Sequence, residues 1–289
     1  MKNDLFALIQ SELPKLSKGH KRIALYILEH YDKAAFMTAS KLGQTVDVSE
    51  STVVRFATEL GFDGYPDLQR ALSELMRNKL TAVQRIEVTS DRIGEDDVLQ
   101  KVLNSDIDKI RRTLELTSNE DFKRAVDRIL KAKKIYIIGS RSSGALASFL
   151  SYYFNLIFPN VALVQTGSRS ELFEQIMRVD ADDVIIGISF PRYSKQTVTA
   201  FQYAKTTNTG LIAITDSMSS PLVKYADDVL LAKSDMVSFV DSLVAPLSLV
   251  NALIVAVSIR NRDAVSQNLE KLENIWEEYE VYEKNDEDN

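Results

Sequence analysis

Apolar residues in the first 80 positions recur at helical spacing and nowhere alternate in the manner of a half-buried strand. Ile23, Ile27 and Tyr31 repeat every four residues with Ala24 and Leu28 beside them, which predicts a helix over Lys18–Tyr31. Thr38 is placed to cap a short helix over Ala39–Thr45. A tight connection, Val46-Asp47-Val48, leads to a further helix that Ser49 caps and Gly61 closes after Leu60. Asp47 with Glu50 offers a rival cap two residues earlier. The grammar changes near Lys133. Short β-branched runs at Ile135–Ile138, Val161–Val164, Val184–Ile188, Leu211–Thr215 and Val229–Leu231 alternate with helix-length stretches, one of them Ala145–Phe158. That alternation predicts βαβ units and a five-stranded parallel, doubly wound sheet. Between the two regions, Val98, Val102, Leu103, Ile107, Ile110 and Leu114 give a charged segment a helical pattern. Leu243–Ile259 reads as a buried helix, and a last helix is expected over Ile275–Tyr282. The fold class is thus α + α/β, organised as an all-helical unit over 1–77, a helical connector over 78–120, the sheet domain over 121–282 and an acidic tail over 283–289.

The third N-terminal helix divides its surface sharply. Val53, Phe56, Ala57 and Leu60 form one apolar stripe, while Ser51, Arg55 and Thr58 lie opposite, flanked by Thr52 and Val54. A short helix, a tight turn and this third helix make a helix-turn-helix. Short hydroxyl side chains permit close approach to a major groove, and arginine can bridge guanine O6 and N7. The candidate DNA contacts are Ser49, Ser51, Thr52, Val54, Arg55 and Thr58. By periodicity alone, a small three-helix bundle explains the pattern equally well. His20 and His30 are expected at the surface or at helix ends.

Charge lends DNA binding no general support. Residues 1–80 carry 11 basic and 10 acidic side chains, and the rest of the chain 24 and 31. Of the 289 residues 45% are hydrophobic and 26% charged, which excludes a largely disordered chain. With no cysteine and only two histidines, both before residue 31, thiolate metal sites and a histidine-based triad in the sheet domain are excluded. The N-terminus lacks a secretory h-region, and the most apolar stretch, 17 residues, is short of a membrane span. The expectation is a cytoplasmic protein without membrane contact.

In the second half, chemistry gathers after strands. The first strand runs into Gly139-Ser140-Arg141-Ser142-Ser143-Gly144 and then a helix, a loop that offers N–H groups and hydroxyls to an anion. The glycines would serve tight strand-to-helix packing equally well. The third strand is followed by Ser189-Phe190-Pro191-Arg192-Tyr193-Ser194-Lys195-Gln196-Thr197, and the fourth by Thr215-Asp216-Ser217-Met218-Ser219-Ser220. In a sheet of order 2-1-3-4-5 the first two loops flank the crevice where open α/β sheets bind ligands. Thr166-Gly167-Ser168-Arg169, and then Ser238, Asp241 and Ser242, are further candidates near the site. Asp182-Asp183 and Asp227-Asp228 read as loop acids. Sugar isomerisation needs a positioned acid–base pair, and only Glu171 or Glu174 is available for it, so turnover is not expected.

Three segments carry a family resemblance. Met37-Thr38-Ala39-Ser40-Lys41-Leu42, Val48-Ser49-Glu50-Ser51-Thr52-Val53-Val54-Arg55-Phe56 and Leu60-Gly61-Phe62-Asp63-Gly64-Tyr65 resemble the helix-turn-helix domain of the RpiR family of bacterial transcription regulators. Roughly Asp121–Arg260 resembles a sugar isomerase (SIS) domain, the usual partner of that helix-turn-helix. The resemblance implies a regulator, a repressor before an activator, of sugar metabolism genes. It implies a double-stranded DNA operator, a phosphosugar effector and a homodimer or homotetramer, with no cofactor and no metal. By position it gives Ser140, Ser142, Ser189, Ser194 and Thr197 to the ligand, with Ser143 in the same loop. The chain departs from the family at Asp47, where glycine is usual, and at Gly43, where alanine is usual and where glycine is expected to loosen the helix by up to ~1 kcal/mol. Arg141 also replaces a common glycine, and Phe-Pro-Arg-Tyr-Ser replaces the usual Ser-x-Ser-Gly-x-Thr. Arg141 and Arg192 are therefore expected to help bind an anionic ligand, one with a carboxylate as well as a phosphate, the other reading being that they pair with nearby acids on the surface. The alternative is a SIS-type sugar-phosphate isomerase or binding protein whose N-terminal helices serve assembly. Exposure of Ser51, Thr52 and Arg55 among basic neighbours separates the two.

Overall fold

The structure, a computed structural model, describes residues 5–79, 81, 83–86, 97–165, 167–235 and 240–282. The chain divides into two compact units, 1–99 together with 236–241, and 100–235 together with 242–289. The stretch expected as a connector is thus divided between them, and the expected acidic tail over 283–289 lies outside the described residues.

Among the described residues the first unit is built on helices: α1 (Leu5–Glu12), α2 (Lys18–Glu29), α3 (Tyr31–Ala34), α4 (Ala39–Thr45), α5 (Glu50–Glu59) and α6 (Tyr65–Lys79). Serine and threonine open three of them. The hydroxyls of Ser17, Thr38 and Ser49 accept from the N–H groups of His20, Lys41 and Thr52. Ile9, Ile23, Ile27, Leu42, Val53, Phe56, Leu68 and Leu72 are fully buried in one core. Tyr65 OH donates to Met37 O at 2.7 Å, and burial pushes its phenol up to about 12.

The turn between α4 and α5 explains two departures from the family pattern. Asp47 adopts φ 52°, the left-handed conformation that glycine supplies elsewhere. Arg22 holds it there, its Nη2 donating to Asp47 Oδ2 at 2.8 Å, to Asp47 O at 2.5 Å and to Val46 O. Gly43 does not simply loosen α4. A Cβ at this position would stand 2.8 Å from Val48 O, so the missing side chain lets the turn fold back closely on the helix.

The second unit contains α7 (Val98–Leu116), whose first two residues fall in the first unit, then α8 (Asn119–Lys131), β1 (Ile135–Gly139), α9 (Ser142–Ile157), β2 (Val161–Val164), α10 (Arg169–Ile176), β3 (Val184–Ile188), α11 (Lys195–Thr206), β4 (Gly210–Thr215), β5 (Asp228–Leu231), α12 (Val244–Arg260) and α13 (Arg262–Glu278). The strands are parallel throughout, in the order β2-β1-β3-β4-β5. Ile135 pairs with Val184 and Val184 with Gly210, so the C-terminal ends of β1, β3 and β4 reach one edge. Alternate strand residues feed two cores. Ile137, Ile186 and Ile212 pack with α8, α9 and α12, and Tyr136, Ile185 and Leu211 with α10 and α11.

Two readings of the pattern are corrected here. The last helix is Arg262–Glu278 rather than Ile275–Tyr282; it buries no residue, so no apolar stripe betrays its start. Asp228 is a strand residue, not a loop acid. Its fully buried carboxylate accepts from Arg124 Nε (3.0 Å) and Arg128 Nε (2.8 Å), tying α8 to β5. No single described helix is long and apolar enough to cross a membrane.

Candidate functional site

The first candidate surface is one side of α5. Its buried stripe of Val53, Phe56 and Ala57 locks the helix to the core and leaves Ser51, Val54, Arg55 and Thr58 exposed. Thr52 is half-buried and Ser49 exposed. The hydroxyls of Ser49, Ser51 and Thr52 are linked at 2.9 and 2.7 Å, and Thr58 Oγ1 donates to Val54 O at 3.2 Å. Arg55 makes no ion pair among the described residues. A Cβ at Gly19 would stand 3.5 Å from Thr52 Cγ2, so the first turn of α2, with Lys18 and Lys21, adjoins the first turn of α5. The face is thus open, polar and edged with cations.

His20 lies deeper than expected. Its side chain is only 12% exposed, its Nδ1 stands 2.5 Å from Glu59 Oε2, and its ring meets Phe56 edge-on. His30 is exposed and joins α2 to α3. Two acids beside α5 are thus engaged, Glu59 with the ring of His20 and Asp47 with the guanidinium of Arg22.

The second candidate site lies at the C-terminal edge of the sheet. The loop after β1 enters α9 through Arg141, at φ 56° and ψ −126° and without a side-chain cap, so the first-turn N–H groups of α9 have no capping acceptor from that residue. A Cβ at Gly139 would stand 2.4 Å from Ser143 O, so this glycine serves packing, as the second reading of the loop had it. The loop after β3 is shaped by its own hydroxyls. Ser189 Oγ accepts from Ser194 N (3.1 Å), and Ser194 Oγ caps α11 through Thr197 N (3.4 Å). Ser194 Oγ also donates to Ser140 Oγ at 3.0 Å, joining the two loops. Thr197 is fully buried, and its Oγ1 has no hydrogen-bond partner among the described residues. Ser142 is exposed and Ser143 buried. Arg141 and Arg192 are exposed, and neither has an ion pair among the described residues.

The pattern of residues missed one pair here. Tyr193 donates its OH to Asp216 Oδ1 at 2.8 Å, and Asp216 is buried at the end of β4. Both lie in loops already singled out, but 23 residues separate them and only the β3–β4 pairing brings them together. Ser220, in the same loop as Asp216, is buried with its Oγ unpartnered among the described residues. The remaining candidates fall elsewhere or have other work. Ser168 and Glu171 form a reciprocal capping box at α10, and Glu174 accepts from Ser170, so neither glutamate is an unengaged base. Ser242 donates to Asp106 Oδ1, and Asp241 accepts from Arg85 Nη1. Asp183 is a buried acid, raised above the ordinary carboxylate range chiefly by burial. Thr166 and Ser238 lie outside the described residues.

Comparison with known proteins assigns both units. The rpiR-family helix-turn-helix domain matches residues 3–79 and the SIS domain residues 128–256. The chain is 27% identical over 282 residues to the HTH-type transcriptional regulator HexR of Escherichia coli K12, covering 93% of each chain. The sugar isomerase domain of an RpiR transcription factor from Sphaerobacter thermophilus superposes with a TM-score of 0.58 at 29% identity, over 60% of this chain and 97% of that one. The NanR protein of Vibrio vulnificus, solved in complex with ManNAc-6P, shares the fold over 94% of this chain and 98% of its own, at 22% identity and a TM-score of 0.57. With an rpiR-type helix-turn-helix in its first unit and a SIS domain in its second, the chain belongs to the RpiR family of HTH-type transcriptional regulators.

Proposed function

We propose that this regulator represses sugar metabolism genes and is released from its operator by a phosphosugar bound between the loops that follow β1 and β3. The observation that carries the ligand half is the Ser140–Ser194 hydrogen bond, which gathers two hydroxyl-rich loops at the N-termini of α9 and α11. The buried hydroxyl of Thr197, with no partner among the described residues, adds an unused donor at the same helix end. Ser140, Ser142, Ser143, Ser189, Ser194 and Thr197 are assigned to the phosphate side of the site. Arg141 and Arg192, with no acidic partner among the described residues, are assigned to a second anionic group such as a sugar carboxylate. Binding proceeds without turnover, since the two glutamates at hand are engaged in capping and side-chain hydrogen bonds.

On the DNA side, Ser51, Val54, Arg55 and Thr58 face the major groove, with Ser49 and Thr52 at the leading end of the helix. The open face of α5 supports this reading over one in which the helices serve assembly alone. Helix-turn-helix proteins generally read two-fold sites, one half-site for each recognition helix, so the working form is a homodimer or a tetramer built from dimers. Release requires the effector to bind the DNA-incompetent arrangement more tightly than the competent one.

A thermal-shift screen of the full chain against sugar phosphates, acid-sugar phosphates and their unphosphorylated parents tests the ligand assignment. A true effector at a hundredfold excess over Kd stabilises the native state by about 2.7 kcal/mol. That shift should vanish in the Ser189→Ala/Ser194→Ala variant. A panel without any shift would sink the phosphosugar reading, and turnover of a hit would revive the isomerase.

A further inference from the structure

Helix α7 spends its inward face on polar groups and leaves an apolar one in solvent. Lys109 and Thr113 are its buried residues. Lys109 Nζ donates to Ser105 Oγ at 2.8 Å and to Asp106 Oδ1 at 3.1 Å, and Ser242 Oγ donates to that same oxygen at 2.6 Å. Thr113 Oγ1 accepts from Lys233 N at 2.9 Å. Leu103, Ile107, Ile110 and Leu114, by contrast, are 53%, 45%, 39% and 82% exposed. With about 3.6 residues per turn these four fall in one stripe, roughly a third of a turn away from Lys109 and Thr113.

Intervals of four, three and four residues are those of a coiled-coil seam. An exposed apolar stripe of this kind marks a contact with a protein or a membrane. A helix lying on a membrane carries a strongly basic polar face. The exposed polar positions of α7 instead mix Lys101, Arg111 and Arg112 with Asp108 and Glu115. The stripe is also its own complement. In an antiparallel pair Leu103 would meet the partner's Leu114 and Ile107 the partner's Ile110; in a parallel pair each would meet its own copy. Either way leucine packs on leucine and isoleucine on isoleucine with no charge in the seam, as a self-complementary two-fold contact requires.

We propose that α7 pairs through Leu103, Ile107, Ile110 and Leu114 with α7 of a second copy of this chain. That this seam helps present two DNA-binding units to two half-sites rests on the regulator reading; the seam itself does not.

Sedimentation equilibrium of the full chain tests it, with Leu103→Glu/Leu114→Glu as the charged variant and far-UV circular dichroism as the check on folding. Self-association should weaken by at least about tenfold, which is ~1.4 kcal/mol. The chain has no cysteine, so Ile107→Cys/Ile110→Cys provides a conservative second variant. Mild oxidation should join it into a covalent dimer, whereas Arg112→Cys, on the opposite side of the helix, should not cross-link. A monomeric parent chain, or a charged variant that associates as the parent does with no disulfide in the cysteine variant, overturns the proposal. A dimer that persists in the charged variant and still binds operator overturns the seam and leaves the regulator reading intact. A weakened dimer in a chain that binds no DNA supports the seam and removes that reading instead.

Discussion

Arg141 occupies a backbone conformation suited to glycine, φ 56° with ψ −126°, in the loop that leads from β1 into α9. Such a conformation costs about 1–3 kcal/mol for a residue with a Cβ, and residues held this way cluster at ligand sites. Arg141→Gly should therefore raise stability toward denaturant by about 1 kcal/mol after the extra entropy of glycine in the unfolded chain is counted. If the guanidinium serves the ligand, the same variant should lose affinity for an acid-sugar phosphate while keeping most of its affinity for a neutral one. A calorimetric comparison of the two ligands separates the backbone effect from the charge effect. Asp183 makes the opposite kind of case, a buried acid whose ionised form the fold disfavours. A carboxyl raised above its ordinary 3.8 contributes stability that is whole below that value and is lost as the pH climbs through the raised one. Asp183→Asn should therefore match or exceed the parent in urea unfolding at neutral pH, because the amide oxygen can still accept from Asp180 N. Below the ordinary carboxylate value that advantage should disappear.

The contact between β3 and α11 leaves no room for a side chain at Gly187, where a Cβ would stand 2.2 Å from Cε2 of the fully buried Phe201. Gly187→Ala should cost about 1–3 kcal/mol by overpacking. Because the N-terminal end of α11 carries Ser194 and Thr197, the displacement should weaken ligand binding as well, a loss that calorimetry would read beside a lowered melting temperature. This requirement was hidden in the sequence, where Gly187 is one small residue in an apolar run. The strands themselves were legible, because a parallel sheet covered on both faces writes its strands as continuous β-branched runs. So were the caps at Thr38 and Ser49, whose hydroxyls precede the helices that they open. Several helices are not bounded by their pattern, α1, α6 and α13 among them. In α1 the apolar Leu5, Phe6, Leu8 and Ile9 crowd within five positions, so the spacing sets no helix bounds before Lys18 even though the segment belongs to a helical unit. Helix α13 buries nothing, and the Trp276–Tyr282 ring contact, centroids 5.3 Å apart, lies across its end rather than within it. The same limit applies at the candidate ligand site. Each hydroxyl loop was visible because it follows a strand, but the Ser140–Ser194 and Tyr193–Asp216 bonds join residues 54 and 23 positions apart, and only strand order and register create them.

For the whole molecule the question is how an acidic chain, net −6, holds a polyanion at all. Most of the negative charge lies after residue 80, and the face of α5 proposed to meet DNA carries one cation of its own, Arg55. Arg55→Ala should therefore cost about 1–3 kcal/mol in operator binding, and it should relax preference at one base pair rather than weaken all sequences alike. A lysine at the helix edge, Lys18 or Lys21, should behave differently when changed to alanine. It should weaken specific and non-specific DNA alike and reduce the slope of log affinity against log salt by about one. Coupling between the two units has its own signature. An effector that lowers operator affinity must itself bind more weakly to the DNA-bound protein by the same factor, about 5–150-fold for couplings of ~1–3 kcal/mol. Titrating effector into free protein and into the protein–operator complex, with fluorescence anisotropy in one experiment and calorimetry in the other, yields both factors independently. Their equality is required of any linked pair of sites, whatever path joins them. Ser194→Ala should abolish the effector's action while leaving operator affinity near that of the parent chain, because Ser194 belongs to the second unit and α5 to the first. If Ser194→Ala instead lowers operator affinity with no effector present, the second unit sets the DNA-competent state by itself and the phosphosugar is not the switch.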